Sequence, residues 1–266
     1  LSLPTLILGL GVVVALAAAV RSTWSPCGLS MLSTITPFGE RSRGHRYVVT
    51  ASWFVVGSVV GGLTLGGLAA GLAAAVAATG VSADSAWLAG AVALAAGVTT
   101  AIDADLFGEL IPIWRRQVND RWLAQYRSWV YGAGFGWQIG VGVATYIMTA
   151  GVFLVVILAA VTGNPVAAAA LCGLFGLARG LAVLVTARAD SPVQLRALHH
   201  RFDQAGPVVR VGVMAVQAGV AVVALAFLAV RAFQWPAAAM AIGVTALGLV
   251  VSVGVLVHRK ARAWAP

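Results

Sequence analysis

Residues 21–37, Arg-Ser-Thr-Trp-Ser-Pro-Cys-Gly-Leu-Ser-Met-Leu-Ser-Thr-Ile-Thr-Pro, set a guanidinium, a thiol and two prolines inside an otherwise apolar stretch. A cysteine ionises more readily at a helix N-terminus or beside a cation. Cys27 follows the helix-breaking pair Ser25-Pro26, which starts a new helical segment with Cys27 in its first turn, and Arg21 stands shortly before it. These positions suit a reactive thiol, with Arg21, Ser25, Pro26 and Gly28 forming its surroundings. A cysteine that fills space at a kink satisfies the same pattern. Cys172 is the second thiol of the chain, so the two are either a redox pair or inert small apolar residues.

Other polar residues in apolar surroundings lie further along. The run 132–142 carries five glycines in eleven residues, which weakens a helix and clears room for another backbone or a ligand. With Arg21, the nearby Trp137, Gln138 and Thr145 would then line a binding site between this break and the one at Ser25–Gly28. Arg179 is either part of a pathway or an arginine snorkelling towards the cytoplasmic interface. Asp103 and Asp105 could bind a cation or relay protons, with a solvated helix end as the plainer reading. His45, His199, His200 and His258 have no companions at zinc-like spacing, and neither a phosphate loop nor a pair of catalytic carboxylates is present, so no metal or cofactor is expected.

The elements that position these residues follow from composition. Of 266 residues, 61% are hydrophobic and 9% charged, against about a quarter charged in soluble domains. An α-helix needs roughly 20 apolar residues to cross a bilayer core. The pattern predicts an all-α polytopic membrane protein with about seven spans: 3–37 (interrupted), 48–78, 86–102, 134–161, 165–187, 208–231 and 236–257. Residues 38–47, 103–133, 188–210 and 258–266 hold fourteen of the seventeen Lys and Arg, and the alternate loops hold only Arg231. Positively charged loops stay in the cytoplasm, so the N-terminus is expected outside and the C-terminus inside a bacterial-type inner membrane. The net charge of +9 therefore reports orientation rather than nucleic-acid binding. Residues 1–20 lack a basic leading region and read as part of the first span rather than as a signal peptide.

Spans one to three and four to six run in opposite senses, and spans one and four are both interrupted. This arrangement predicts a single membrane domain built as a 3+3 inverted repeat, with 1–106 and 134–231 as its halves and 236–257 as an added helix. Segment 107–133 mixes charges with Trp114, Trp122, Tyr126, Trp129 and Tyr131, a composition suited to lying on the membrane surface against lipid. Span two carries glycines at 57, 61, 62, 66, 67 and 71, and span five at 173, 176 and 180, which allow close helix packing.

Ser25-Pro26-Cys27 in the first span, followed by Pro37, resembles the CcdA/DsbD-type transmembrane family, which belongs with the LysE-type exporters. The segments 116–122 and 134–137 are also similar to some of its members. The resemblance implies a 3+3 core and a membrane thiol-disulfide oxidoreductase that passes reducing equivalents from cytoplasmic thioredoxin-like proteins to extracytoplasmic thiols, as in cytochrome c maturation. Cys27 would be the first-span thiol. The fourth span has no cysteine, which leaves Cys172 in the fifth as the second. Two other functions stay open: an exporter or ion-coupled transporter of the same fold, and a non-catalytic subunit bound to other membrane proteins.

Overall fold

The computed structural model describes residues 3–81, 85–106 and 121–233. Among them the chain is helical, without strands: α1 (Leu3–Ser22), α2 (Pro26–Thr34), α3 (Pro37–Ser42), α4 (Tyr47–Ala78), α5 (Ala86–Asp103), α6 (Trp122–Gln125), α7 (Ser128–Val141), α8 (Gly151–Val161), α9 (Pro165–Leu181) with a 3₁₀ continuation (Ala182–Arg188), and α10 (Pro192–Phe233). Among the described residues five helical segments are long and apolar enough to cross a membrane: Leu3–Ser22, Tyr47–Ala78, Ala86–Asp103, Pro165–Arg188 and Pro192–Val230. The expected span at 236–257 lies outside the described residues, as do 107–120.

The first stretch breaks where its residues demand. Ser25 caps α2, its hydroxyl accepting from the Gly28 amide at 3.1 Å, and Pro26 occupies the first helical position, where a missing N–H costs nothing. The same device recurs at Thr36-Pro37, which opens α3.

The fourth stretch differs from expectation. The glycine run 132–142 is helical almost to its end, and the interruption follows it, from Gly142 at φ +76° to Ala150. These glycines serve packing. A Cβ on Gly136 would land on the carbonyl oxygen of Phe54, and one on Gly62 on that of Cys172, so α4 lies backbone to backbone against α7 on one side and α9 on the other. The sixth stretch also differs: α10 begins at Pro192, and Pro207 sits inside a continuous helix where a loop was expected.

Two apolar clusters result. The larger joins α1, α4, α5, α8, α9 and α10 and includes Ile7, Leu154, Leu158, Cys172 and Phe175. The smaller joins α2, α4, α7 and the 3₁₀ turn around Cys27, Met31, Phe54, Phe135 and Ile139.

Candidate functional site

Both helix interruptions end on one side chain. Arg179, 3% exposed near the end of α9, donates from Nη1 to the Ile139 carbonyl at 2.6 Å and from Nη2 to the Ser22 carbonyl at 3.2 Å. Ser22 is the last residue of α1 and Ile139 lies in the last turn of α7. Carbonyls in the last turn of a helix have no intrahelical partner and carry the negative end of its dipole. The two carbonyls also accept from the backbone amides of Gly142 at 3.1 Å and Ser25 at 3.2 Å, so one guanidinium adds a second donor at the ends of two broken helices and brings positive charge to both. It also lies 5.7 Å over the Phe175 ring. Its Nε is buried with no partner. Beside it is a cavity of about 20 Å³ whose lining includes Thr23, Gly28, Met31 and Leu32 from the first break and its continuation. Arg179 is therefore not a snorkelling side chain.

The first break is also tied to α10. The Trp24 indole N–H donates to the Phe202 carbonyl at 2.8 Å, and the two rings lie 4.9 Å apart.

A second polar cluster holds the start of α8. Asp103, the last residue of α5, accepts through Oδ1 from the Ala150 amide at 2.7 Å and through Oδ2 from the Gln217 amide group at 2.8 Å and from the Thr149 hydroxyl. A carboxylate here meets the positive end of α8 and fills the role of an N-cap from another helix. Arg210 donates to the Asp103 carbonyl at 2.8 Å and pairs with Asp105, and Arg21 lies in the electrostatic field of both Asp103 and Arg210. The reading of Asp103 as a solvated helix end is thus corrected: its carboxylate is committed to α8.

Residue patterns gave no sign of the third cluster. Glu40, fully buried on α3, accepts from Arg43 at 2.7 Å, from the Thr50 hydroxyl at 2.6 Å and from the Tyr131 hydroxyl at 2.5 Å. In sequence Glu40 stands among arginines in a short polar segment, a composition that reads as loop.

The residues singled out from sequence divide among these places. Ser25, Pro26, Cys27 and Gly28 form the first break, with Cys27 in the electrostatic field of Arg179. Arg21 belongs to the Asp103 cluster. Thr145 is buried in the second break, its hydroxyl without a partner, and Gln138 is half-buried on α7. Trp137 faces outward, 42% exposed, with its indole N–H on the Thr64 hydroxyl. Cys172 is buried in the larger cluster, two turns or about 10 Å along α9 from Arg179, while Cys27 is buried in the smaller one. Neither cysteine is in a disulfide. Among the described residues no group of three His, Cys, Asp or Glu could hold a metal ion.

Fold and site together define an all-helical protein of membrane character whose interrupted helices converge on buried polar side chains. The chain is 30% identical over 224 residues to the methylamine utilization protein MauF of Paracoccus versutus, covering 83% of this chain and 80% of that one. It is 30% identical over 232 residues to the MauF protein of Methylorubrum extorquens, covering 85% and 78%. To that of Paracoccus denitrificans it is 32% identical over 174 residues, covering 65% of this chain and 62% of the relative's length. The chain belongs to the MauF family of methylamine utilization proteins. No family model and no solved structure matches it.

This kinship overturns the resemblance to the CcdA/DsbD-type family and the thiol-disulfide, cytochrome c maturation reading built on it. The exporter and non-catalytic subunit readings likewise find no support in these relatives. The resemblance rested on a Ser-Pro-Cys tripeptide, whose residues here open α2 at a helix break.

Proposed function

We propose that this protein serves methylamine utilisation from within a bacterial-type cytoplasmic membrane, with the junction around Arg179 as its working site. The observation that carries the reading is the similarity to MauF proteins over more than four fifths of the chain. The arginine-rich segments at 38–47, 103–133, 188–210 and 258–266 support an orientation with the N-terminus outside and the C-terminus in the cytoplasm. In this arrangement α7 and α8 together make the fourth crossing, 236–257 makes a seventh, and the two interrupted crossings occupy matching places in a 3+3 inverted repeat within one membrane domain.

The junction owes its suitability to charge and discontinuity. A helix interrupted inside a membrane leaves backbone groups that protein must satisfy. Arg179 supplies a further donor at the ends of α1 and α7, and Asp103 an acceptor at the start of α8. Cys27, Ser25, Gly28 and Thr145 stand at the interruptions, so a ligand or partner segment reaching them meets a cation and helix ends instead of a continuous apolar wall. Membrane lipid surrounds the remainder.

Deletion of the gene from the organism that encodes it, followed by growth with methylamine as sole nitrogen source, tests the reading. Growth on methylamine should fail while growth on ammonium is unchanged, and the intact gene should restore it. Undiminished growth on methylamine in the deletion strain overturns the proposal.

A further inference from the structure

We infer that the cavity beside Arg179 is a binding site for one small monovalent anion of halide size. A guanidinium remains charged at any physiological pH and carries five N–H donors. At Arg179 the two described acceptors are the Ile139 and Ser22 carbonyls, Nε is buried without a partner, and the side chain is 3% exposed. None of the carboxylates in described ion pairs faces it: these pairs are Arg41–Asp190, Arg43–Glu40 and Arg210–Asp105. Each helix end contributes only about half a negative charge, spread over several carbonyls. A buried cation with part of its donor set open calls for an electronegative occupant.

The cavity limits what that occupant is. Its volume of about 20 Å³ exceeds the roughly 10–15 Å³ that a single water-sized occupant needs, and is too small for a phosphate or a carboxylic acid anion. Met31, Leu32, Phe54, Ala182 and Val183 line it with apolar atoms. Two polar groups of the lining are already engaged, the Gly28 amide with Ser25 and the Thr23 hydroxyl with the Ala19 carbonyl. A water would find one donor and few further partners, whereas an ordered buried water typically makes about three hydrogen bonds. A weakly hydrated anion needs only the cation and an apolar wall. Chloride and bromide should therefore bind and fluoride, with its costly desolvation, should not. The inference stands whether or not the protein serves methylamine utilisation.

The test uses the purified full chain in detergent, with thermal unfolding followed as chloride, bromide or fluoride replaces gluconate at constant ionic strength. The midpoint should rise by about 3–5 °C between 1 and 100 mM chloride or bromide and stay level with fluoride. Ala182→Leu, which fills the cavity and leaves Arg179 in place, should abolish the rise, and Leu94→Ala, exposed on α5 and no part of the cavity lining, should keep it. Crystals grown in bromide should show an anomalous peak beside Arg179 Nε. The inference is overturned by equal midpoints in gluconate and chloride, by a rise that persists in Ala182→Leu, or by a water-filled cavity without bromide signal.

Discussion

Arg179 and Ser22, 157 positions apart in the chain, meet at the C-terminus of α1, where the guanidinium donates to the last helical carbonyl at 3.2 Å. Its other arm reaches the Ile139 carbonyl of α7 at 2.6 Å, so the two interrupted helices are held in register by a single side chain of a third.

Replacing Arg179 with Met should strip the charged donor from both carbonyls and leave them only the backbone amides of Gly142 and Ser25. The expected loss is about 1–3 kcal/mol of folding stability, because removing a buried cation offsets part of the roughly 1.5–3 kcal/mol that each hydrogen bond of a charged group contributes. Unfolding by SDS in mixed micelles measures it. Arg179→Lys, with a single ammonium in place of the fork, should recover only part of the loss. Wild-type stability in the Met variant would show that neither hydrogen bond matters.

Asp103→Asn should loosen the start of α8. The asparagine carbonyl can still accept from Ala150, but its amide is a donor placed where the Thr149 hydroxyl and Gln217 amide also donate. A loss of about 1–2 kcal/mol is expected, with faster hydrogen exchange confined to the amides of Ala150 and Gly151. Unchanged exchange at those amides would contradict the capping role.

Glycines on the two packed helices α7 and α4 should respond in opposite directions. Gly136 faces the Phe54 carbonyl, so Gly136→Ala forces α7 away from α4 and should cost more than about 2 kcal/mol. Gly67, on α4, has open space where a Cβ would go, and Gly67→Ala should stabilise by about 0.5–1 kcal/mol through helix propensity. Melting temperatures of the two purified variants decide this, and a shared sign would refute the packing assignment.

Tyr131→Phe should lower folding stability by about 1–3 kcal/mol, because it removes a hydroxyl that donates to the buried Glu40 carboxylate at 2.5 Å. Unfolding by SDS in mixed micelles measures the loss, and parent-like stability would rule out a contribution from that bond.

Cys27 and Cys172 should both alkylate in denaturant without reductant, giving two modifications per chain by mass spectrometry. They occupy separate apolar clusters, so mild oxidation should not produce an intramolecular disulfide. A cross-link that forms rapidly in native membranes would require a different packing of α2 on α9.

How much was legible from the chain alone differs from residue to residue. Ser25-Pro26 announced the first break because an N-cap and a proline at the first helical position are local chemistry. The run 132–142 misled, because glycine weakens an isolated helix yet is also what lets two helices touch, and only the partner α4 tells which effect prevails. Glu40 left no trace, since its meaning depends on Tyr131 and Thr50, ninety-one and ten positions away. Asp103 and Arg179 stand out in the sequence as odd charges, but their tasks depend on which broken helix ends lie opposite them.

The sequence by itself determined the class of the molecule: an apolar helical chain, interrupted near Pro26, with arginine concentrated in alternate loops. Such properties are sums over many residues or are encoded within one turn of helix, so no folding is needed to read them. Only the tertiary structure decided that two interruptions share Arg179, that Asp103 caps α8, and that the two thiols lie apart. Those outcomes depend on contacts between distant segments, which close packing of glycine-lined helices selects and which no single stretch of sequence contains.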